Sequence, residues 1–269
     1  MPARTNTVDL ENDRRIVRWI FDGAEGDFTW TKPIPAAGYA IEYHRVAVIN
    51  GGRRDSGVGS SSPEGAFGGL GGGWQERFYA DSELGATVAV HVGRGADYQG
   101  TSFDPSSYPE TQSKFGSLVG INGSNLVVYR DGTAGLSPNA PGQGGQGGGS
   151  FRTGSNNSIV TTFGRRGESS AVARGGDVAP YIDGNNGQSA PADPINYSGG
   201  GGGGGGSGKS ASSGTGFGGS DGGSPGGGAG GQGGILPDSS MGVGYVGKGA
   251  PGGVCVWTYM ILLPASSVT

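Results

Sequence analysis

Polar and apolar positions alternate along several short stretches, and each stretch predicts a half-buried strand. In residues 39–49, Tyr39, Ile41 and Tyr43 alternate with Ala40, Glu42 and His44. In residues 86–92, Val88, Val90 and Val92 point one way and Ala89 and His91 the other. Phe28-Thr29-Trp30-Thr31-Lys32-Pro33 is a short strand stopped by its proline. Residues 74–79 form a further strand. Residues 118–129 carry Asn122-Gly123, a hairpin-type turn between apolar stretches. Residues 253–263 are strongly apolar, must pack on something, and are expected to return to the earlier strands. At the N-terminus, Arg14, Arg15 and Arg18 are interleaved with Ile16, Val17, Trp19 and Ile20. That pattern fits a short helix or an edge strand, and residues 1–22 read as a docking segment.

Between residues 136 and 247 the alternation stops and glycine takes over. Residues 199–234 hold 22 glycines in 36 positions, opening with eight in a row. Gly144-Gly145-Gln146-Gly147-Gly148-Gly149 and Gly227-Gly228-Ala229-Gly230-Gly231-Gln232-Gly233-Gly234 both beat in threes. Three residues per turn is the repeat of the polyproline-II helix, which has no internal hydrogen bonds. Without side chains such helices approach closely and bond to one another, which answers the backbone accounting. The competing reading is a flexible linker. Against it stand the aromatics scattered through the region, Phe151, Phe163, Tyr181, Tyr197, Phe217 and Tyr245. The expected fold is all-β. A small antiparallel β-sandwich-like domain spans 23–135, a glycine-rich, polyglycine-II-like excursion spans 136–247, and a C-terminal strand in 248–269 packs back.

Composition narrows the classes. Glycine is 63 of 269 residues and apolar types are 33 %. Helical bundles are excluded by glycine's helix penalty of about 1 kcal/mol per residue, and collagen by the lack of a strict Gly-X-Y register. The net charge of −4 argues against a nucleic-acid partner, which wants a basic face. No apolar run approaches the ~20 residues that span a bilayer, so membrane insertion is not expected. Cys255 is the single cysteine and reads as a buried apolar thiol.

Motifs of chemistry are present only as strings. Gly203-x4-Gly208-Lys209-Ser210 matches a phosphate-binding loop but lacks the flanking strand and helix. Gly218-Gly219-Ser220-Asp221-Gly222 and Gly222-Gly223-Ser224-Pro225-Gly226 match the nucleophile elbow with the same deficiency. The two histidines, His44 and His91, are far apart and in no ligand spacing. A hydrolytic site would need one of them against Asp104 or Glu110. No catalytic residue, cofactor or metal is expected.

The order of features resembles a known family. It runs from the aromatic strand at Phe28–Pro33, through Val46-Ala47-Val48-Ile49-Asn50-Gly51-Gly52 and Val88-Ala89-Val90-His91-Val92-Gly93-Arg94-Gly95, to Gly249-Ala250-Pro251-Gly252-Gly253-Val254-Cys255-Val256. This resembles the glycine-rich minor tail proteins and tail-fibre-like proteins of tailed bacteriophages, especially those of actinobacteria. The resemblance implies a structural, non-enzymatic virion component at the tail tip, made in the host cytoplasm and contributing to host attachment. It also implies contacts with other tail proteins and with a bacterial cell-surface glycan or protein. A small core favours trimerisation, so a homotrimer is expected. Arg14, Arg15, Arg18 and Trp19 are the candidate tail-docking residues, and Tyr197, Phe217 and Tyr245 the candidate receptor-facing aromatics. The alternative is a free-standing polyglycine-II structural, ice-binding or cell-wall protein.

Overall fold

The computed structural model describes residues 4–10, 13–22, 25–53, 67–96, 111–121, 125–143, 150–153, 158–161, 164–178, 183–191, 193, 197–206, 217–231, 233 and 247–264. The fold is all-β. The strands are β1 (Arg4–Leu10), β2 (Arg14–Asp22), β3 (Gly26–Thr31), β4 (Tyr39–Ile49), β5 (Trp74–Tyr79), β6 (Thr87–Val92), β7 (Lys114–Phe115), β8 (Leu118–Val119), β9 (Asn125–Val128), β10 (Ala134–Leu136), β11 (Ser150–Thr153), β12 (Ser158–Thr161) and β13 (Gly253–Leu262). A seven-stranded sheet runs β1-β2-β13-β4-β5-β9-β10, and a four-stranded sheet runs β3-β6-β7-β8. β11 and β12 pair by themselves. Among the described residues every pairing is antiparallel except that of β5 with β9.

The last strand sits in the middle of the large sheet, between β2 and β4. Both of its faces are covered, which is why it reads as an unbroken apolar run. Val254 and Val256 join Val46 and Val48 against Trp30, Val90, Val92 and Phe115 of the smaller sheet. Cys255 and Trp257 point the other way, with Ala47, Ile49, Trp74, Ile16 and Ile20. The inter-sheet core also holds a polar group. Fully buried His44 contacts Thr258 Oγ1 through Nδ1 (3.0 Å) and Asp81 Oδ1 through Nε2 (3.1 Å). Lys32 Nζ lies 2.8 Å from the same carboxylate oxygen. Burial pushes the His44 imidazole below its ordinary value, against the pull of Asp81.

Two expectations need correction. Residues 4–22 do not stand apart as a docking segment: β2 is an interior strand, flanked by β1 and β13, and it supplies Ile16, Ile20 and Phe21 to the core. Residues 118–129 do not form one hairpin. β8 pairs with β7 in the small sheet, whereas β9 lies between β5 and β10 in the large one.

At one pole the strands run on into glycine segments. The Asn50 amide donates to Gly73 O (3.1 Å), Gly52 to Ala250 O (2.7 Å), Gly252 to Gly93 O (2.8 Å) and Gly72 to Gly226 O (2.7 Å). These contacts carry the ends of β4, β5, β6 and β13 into one bundle. At its centre lie residues 199–206, all buried. The amides of Gly200, Gly203 and Gly206 donate to Pro225, Gly228 and Gly231. Those of Gly201 and Gly204 donate to Gln188 and Asn185, and those of Gly202 and Gly205 to Glu168 and Arg165. Each partner steps by three residues, the repeat of a threefold extended helix. The carbonyls of Gly200, Gly201 and Gly202 accept from Gly142, Gly223 and Gly176, which brings the surrounding segments to six. A side chain has no room there. A Cβ on Gly201 would overlap the Arg174 carbonyl, and one on Gly203 the Ser220 carbonyl.

Gly201→Ala is therefore expected to cost about 3 kcal/mol or more, the upper end of overpacking penalties. Gly85→Ala, whose Cβ would sit 3.4 Å from Thr87 O, should stay within about 0.5 kcal/mol of wild type. Denaturant melts of the two variants compare them directly, and equal midpoints would refute the packing argument. Deleting residues 4–22 should abolish the folded state, read as loss of cooperative unfolding. Ile16→Ala, a smaller lesion at the same strand, should cost about 2–5 kcal/mol.

Candidate binding groove on the sheet face

Alternation along β4 puts Tyr43 on the same face as Ala47 and Ile49, but toward the pole away from the glycine bundle. Tyr259 of β13 stacks on it, with ring centroids 4.4 Å apart and planes 18° apart. Phe78 of β5 lies 5.9 Å from Tyr43 on the other side, and Tyr129, just beyond β9, lies 6.1 Å from Phe78. The parallel pairing of β5 with β9 brings these last two together. A band of four rings thus crosses the sheet from β13 to β9.

Charged groups are held among the rings. The Arg130 guanidinium lies 4.9 Å from the Tyr43 centroid and 3.8 Å from Glu42 Oε1. Arg14 approaches the same carboxylate oxygen at 3.7 Å. Arg45 covers Trp257 at 4.5 Å and donates through Nε to Glu76 Oε1 at 2.6 Å. Tyr43, Phe78, Tyr129, Arg130 and Asp131 line an open groove of about 400 Å³. Asp131 is fixed by Thr133, whose amide and Oγ1 donate to Oδ1 at 2.9 and 2.6 Å, and these bonds lower its carboxyl pKa. A turn with Gly132 at φ +81° makes that contact possible. Burial, with Tyr259 and Glu42 nearby, pushes the Tyr43 phenol up to about 12.

The residues singled out in the sequence fall in different places. Arg14 is exposed, beside Glu42. Arg15 donates to Asp9 (2.5 Å) and lies over the Tyr39 ring (4.7 Å). Arg18 is 5 % exposed and donates through Nε to Asn6 Oδ1 at 2.9 Å. Trp19 is half-buried against the inter-sheet core. Arg18 and Trp19 therefore serve the fold. Tyr197 is turned inward, 8 % exposed, between Trp74 (6.3 Å) and Trp257 (6.4 Å). It fastens the start of the glycine tract to the sheet and has no face for a receptor. Phe217 is half-buried within the bundle. Tyr245, Asp104 and Glu110 lie outside the described residues.

Of the phosphate-loop string, the amides of Gly203, Gly204, Gly205 and Gly206 donate to neighbouring carbonyls, and Gly208, Lys209 and Ser210 lie outside the described residues. Ser220 Oγ is buried and donates to Asn185 O and Gly204 O. His91 Nδ1 contacts Asp27 Oδ1 at 2.7 Å on an exposed surface. Among the described residues no three His, Cys, Asp or Glu side chains gather as a metal site would require. The groove itself was not singled out from sequence, because its three rings come from β4, β5 and the residue after β9, whose adjacency periodicity does not specify. No protein-family model, curated protein or solved structure matches the chain.

The raised Tyr43 pKa has a stability consequence with a definite sign. The unfolded chain releases this proton near pH 10, the folded one near 12. Stability is thus intact below pH 10 and declines as pH rises from 10 toward 12. Tyr79 and Tyr197, also raised by burial, act in the same direction. Thermal melts across that window should fall steadily, and Tyr43→Phe should remove part of the fall. An unchanged alkaline profile in the variant would refute the assignment.

Proposed function

We propose that the chain is a structural virion component of a bacteriophage tail tip or fibre and contributes to host-cell attachment. The observation that carries this reading is the fusion of a two-sheet sandwich with a glycine bundle whose backbone groups bond between segments. Such a body is stiff, and its tract of residues 199–234 offers a trypsin-like protease only Lys209. Both properties suit a protein that works outside a cell. The sequence resemblance to minor tail proteins points the same way. In this reading the protein is non-enzymatic and forms a homotrimer, and its neighbours are other tail proteins. Arg14, Arg15 and the aromatic groove lie at the pole away from the bundle and form its contact surface. Every amide along residues 199–206 also finds its partner within one chain, which equally suits a free-standing polyglycine-II structural, ice-binding or cell-wall protein.

Two measurements separate these readings. Mass spectrometry of purified virions, with antibody labelling, should find the chain at the tail tip. Light scattering of the purified protein should give the mass of three 26.7 kDa chains. A chain missing from virions, or a compact monomer in solution, would favour the free-standing protein.

A further inference from the structure

We propose that the groove lined by Tyr43, Phe78, Tyr129, Arg130 and Asp131 binds a saccharide. This deepens the attachment reading above and rests on it for its biological setting. The chemistry comes from the groove. Tyr129 is 46 % exposed and has Phe78 beside it in a near-parallel arrangement, 25° between planes. Its remaining ring surface lines the groove. The face of an aromatic ring is negative and receives the weakly positive C–H face of a sugar ring. Beside it in sequence and in space stand a donor, Arg130, and an acceptor, Asp131. A pair of neighbouring sugar hydroxyls both donates and accepts, and one such pair fits these two groups.

The two polar side chains are already ordered. Arg130 rests on the Tyr43 ring with Glu42 close by, and Asp131 is held by two bonds from Thr133. Fixing them beforehand removes an ordering cost from binding. Charge decides between classes of ligand. Arg14 and Arg130 share Glu42, and Asp131 lies next to Arg130, so the groove carries no uncompensated field. A strongly acidic or basic partner finds nothing to match. A neutral ligand with one apolar face and an edge of hydroxyls does. The volume of about 400 Å³ lies within the small-molecule range.

The test is saturation-transfer NMR and titration calorimetry on the full chain with mannotriose, chitotriose and arabinotriose. At least one should bind, with Tyr129→Ala weakening it about tenfold or more, the loss of roughly one ring contact. Asp131→Asn should weaken it similarly, and Tyr129→Phe should restore it, since the ring face survives. These last two variants keep the test alive if Tyr129→Ala fails to fold. No binding by any of the three sugars would overturn the proposal, as would binding that ignores both Tyr129→Ala and Asp131→Asn. A change in solution mass on Tyr129→Phe or Asp131→Asn would also overturn it, because the groove would then be a contact between protein chains. A virion-borne chain that binds no sugar sinks this proposal alone. A sugar-binding chain absent from virions sinks the attachment reading alone.

Discussion

The peptide groups of the glycine tract are the constraint on which the structure depends. Eight consecutive glycines offer no apolar surface, so their amides and carbonyls must find partners or water. In residues 199–206 each amide turns about a third of a circle from the last and meets a different segment. Only glycine permits the spacing, since a Cβ at Gly201 or Gly203 would overlap a carbonyl. The energy balance is narrow. Fixing one residue's backbone costs roughly 1–2 kcal/mol, and glycine loses the most. A net hydrogen bond returns about 0.5–1.5 kcal/mol. A bundle resting on these terms alone is marginal. It needs a template, and the ends of β4, β5, β6 and β13 provide one by holding four segments in register.

Tyr197 completes that coupling. It precedes the central glycine run by two residues and is clamped between Trp74 and Trp257. Burying one large aromatic is worth roughly 1.5–3 kcal/mol, comparable to several of the glycine hydrogen bonds it stands beside. The same logic applies to β13. It enters between two strands formed from the first 49 residues, pairing Ile20 with Cys255 and Ala47 with Cys255 from either side. The large sheet therefore has no complete core until the chain has nearly ended. Long-range pairing of this kind is slow, and the chain between β12 and β13 has to leave that slot open.

Much of this was legible in the chain, and the failures have physical causes. The strands at 39–49, 74–79 and 253–262 follow from alternation or from an apolar run, and the structure places them within a residue of where the pattern does. The three-residue beat read from Gly227 onward recurs where the Gly228 and Gly231 carbonyls accept from Gly203 and Gly206, whereas the beat read at residues 144–149 lies outside the described residues. Which segments become neighbours was not legible, because a threefold helix presents the same backbone to every side. Residues 14–22 misled for a different reason. Arginine in a strand suggests an edge, yet Arg18 is buried because Asn6 of the adjacent strand accepts its Nε–H. Tyr197 looked exposed because its neighbours are polar or glycine, and its true partners arrive from β5 and β13. The groove needed the one parallel pairing in the sheet, and no turn signal announces a parallel neighbour.

The location of the groove follows from what each half of the molecule presents. The central glycine run, buried throughout residues 199–206, shows the outside nothing. Two of the outer segments spend one residue in three on packing and turn the others outward, with Arg165 and Arg166 exposed between Gly164 and Gly167, and Asn185 and Asn186 between Gly184 and Gly187. These outward groups are polar, and some are already paired, as Arg166 is with Asp177 at 3.0 Å. A ring large enough to stack on a ligand needs a pleated surface on which side chains two apart stand together. The large sheet offers that surface, and its bundle-side half is covered by Tyr197. What remains open is the far half, where Tyr43, Phe78 and Tyr129 lie. The bundle thus fixes the recognition surface indirectly, by occupying the rest of the face.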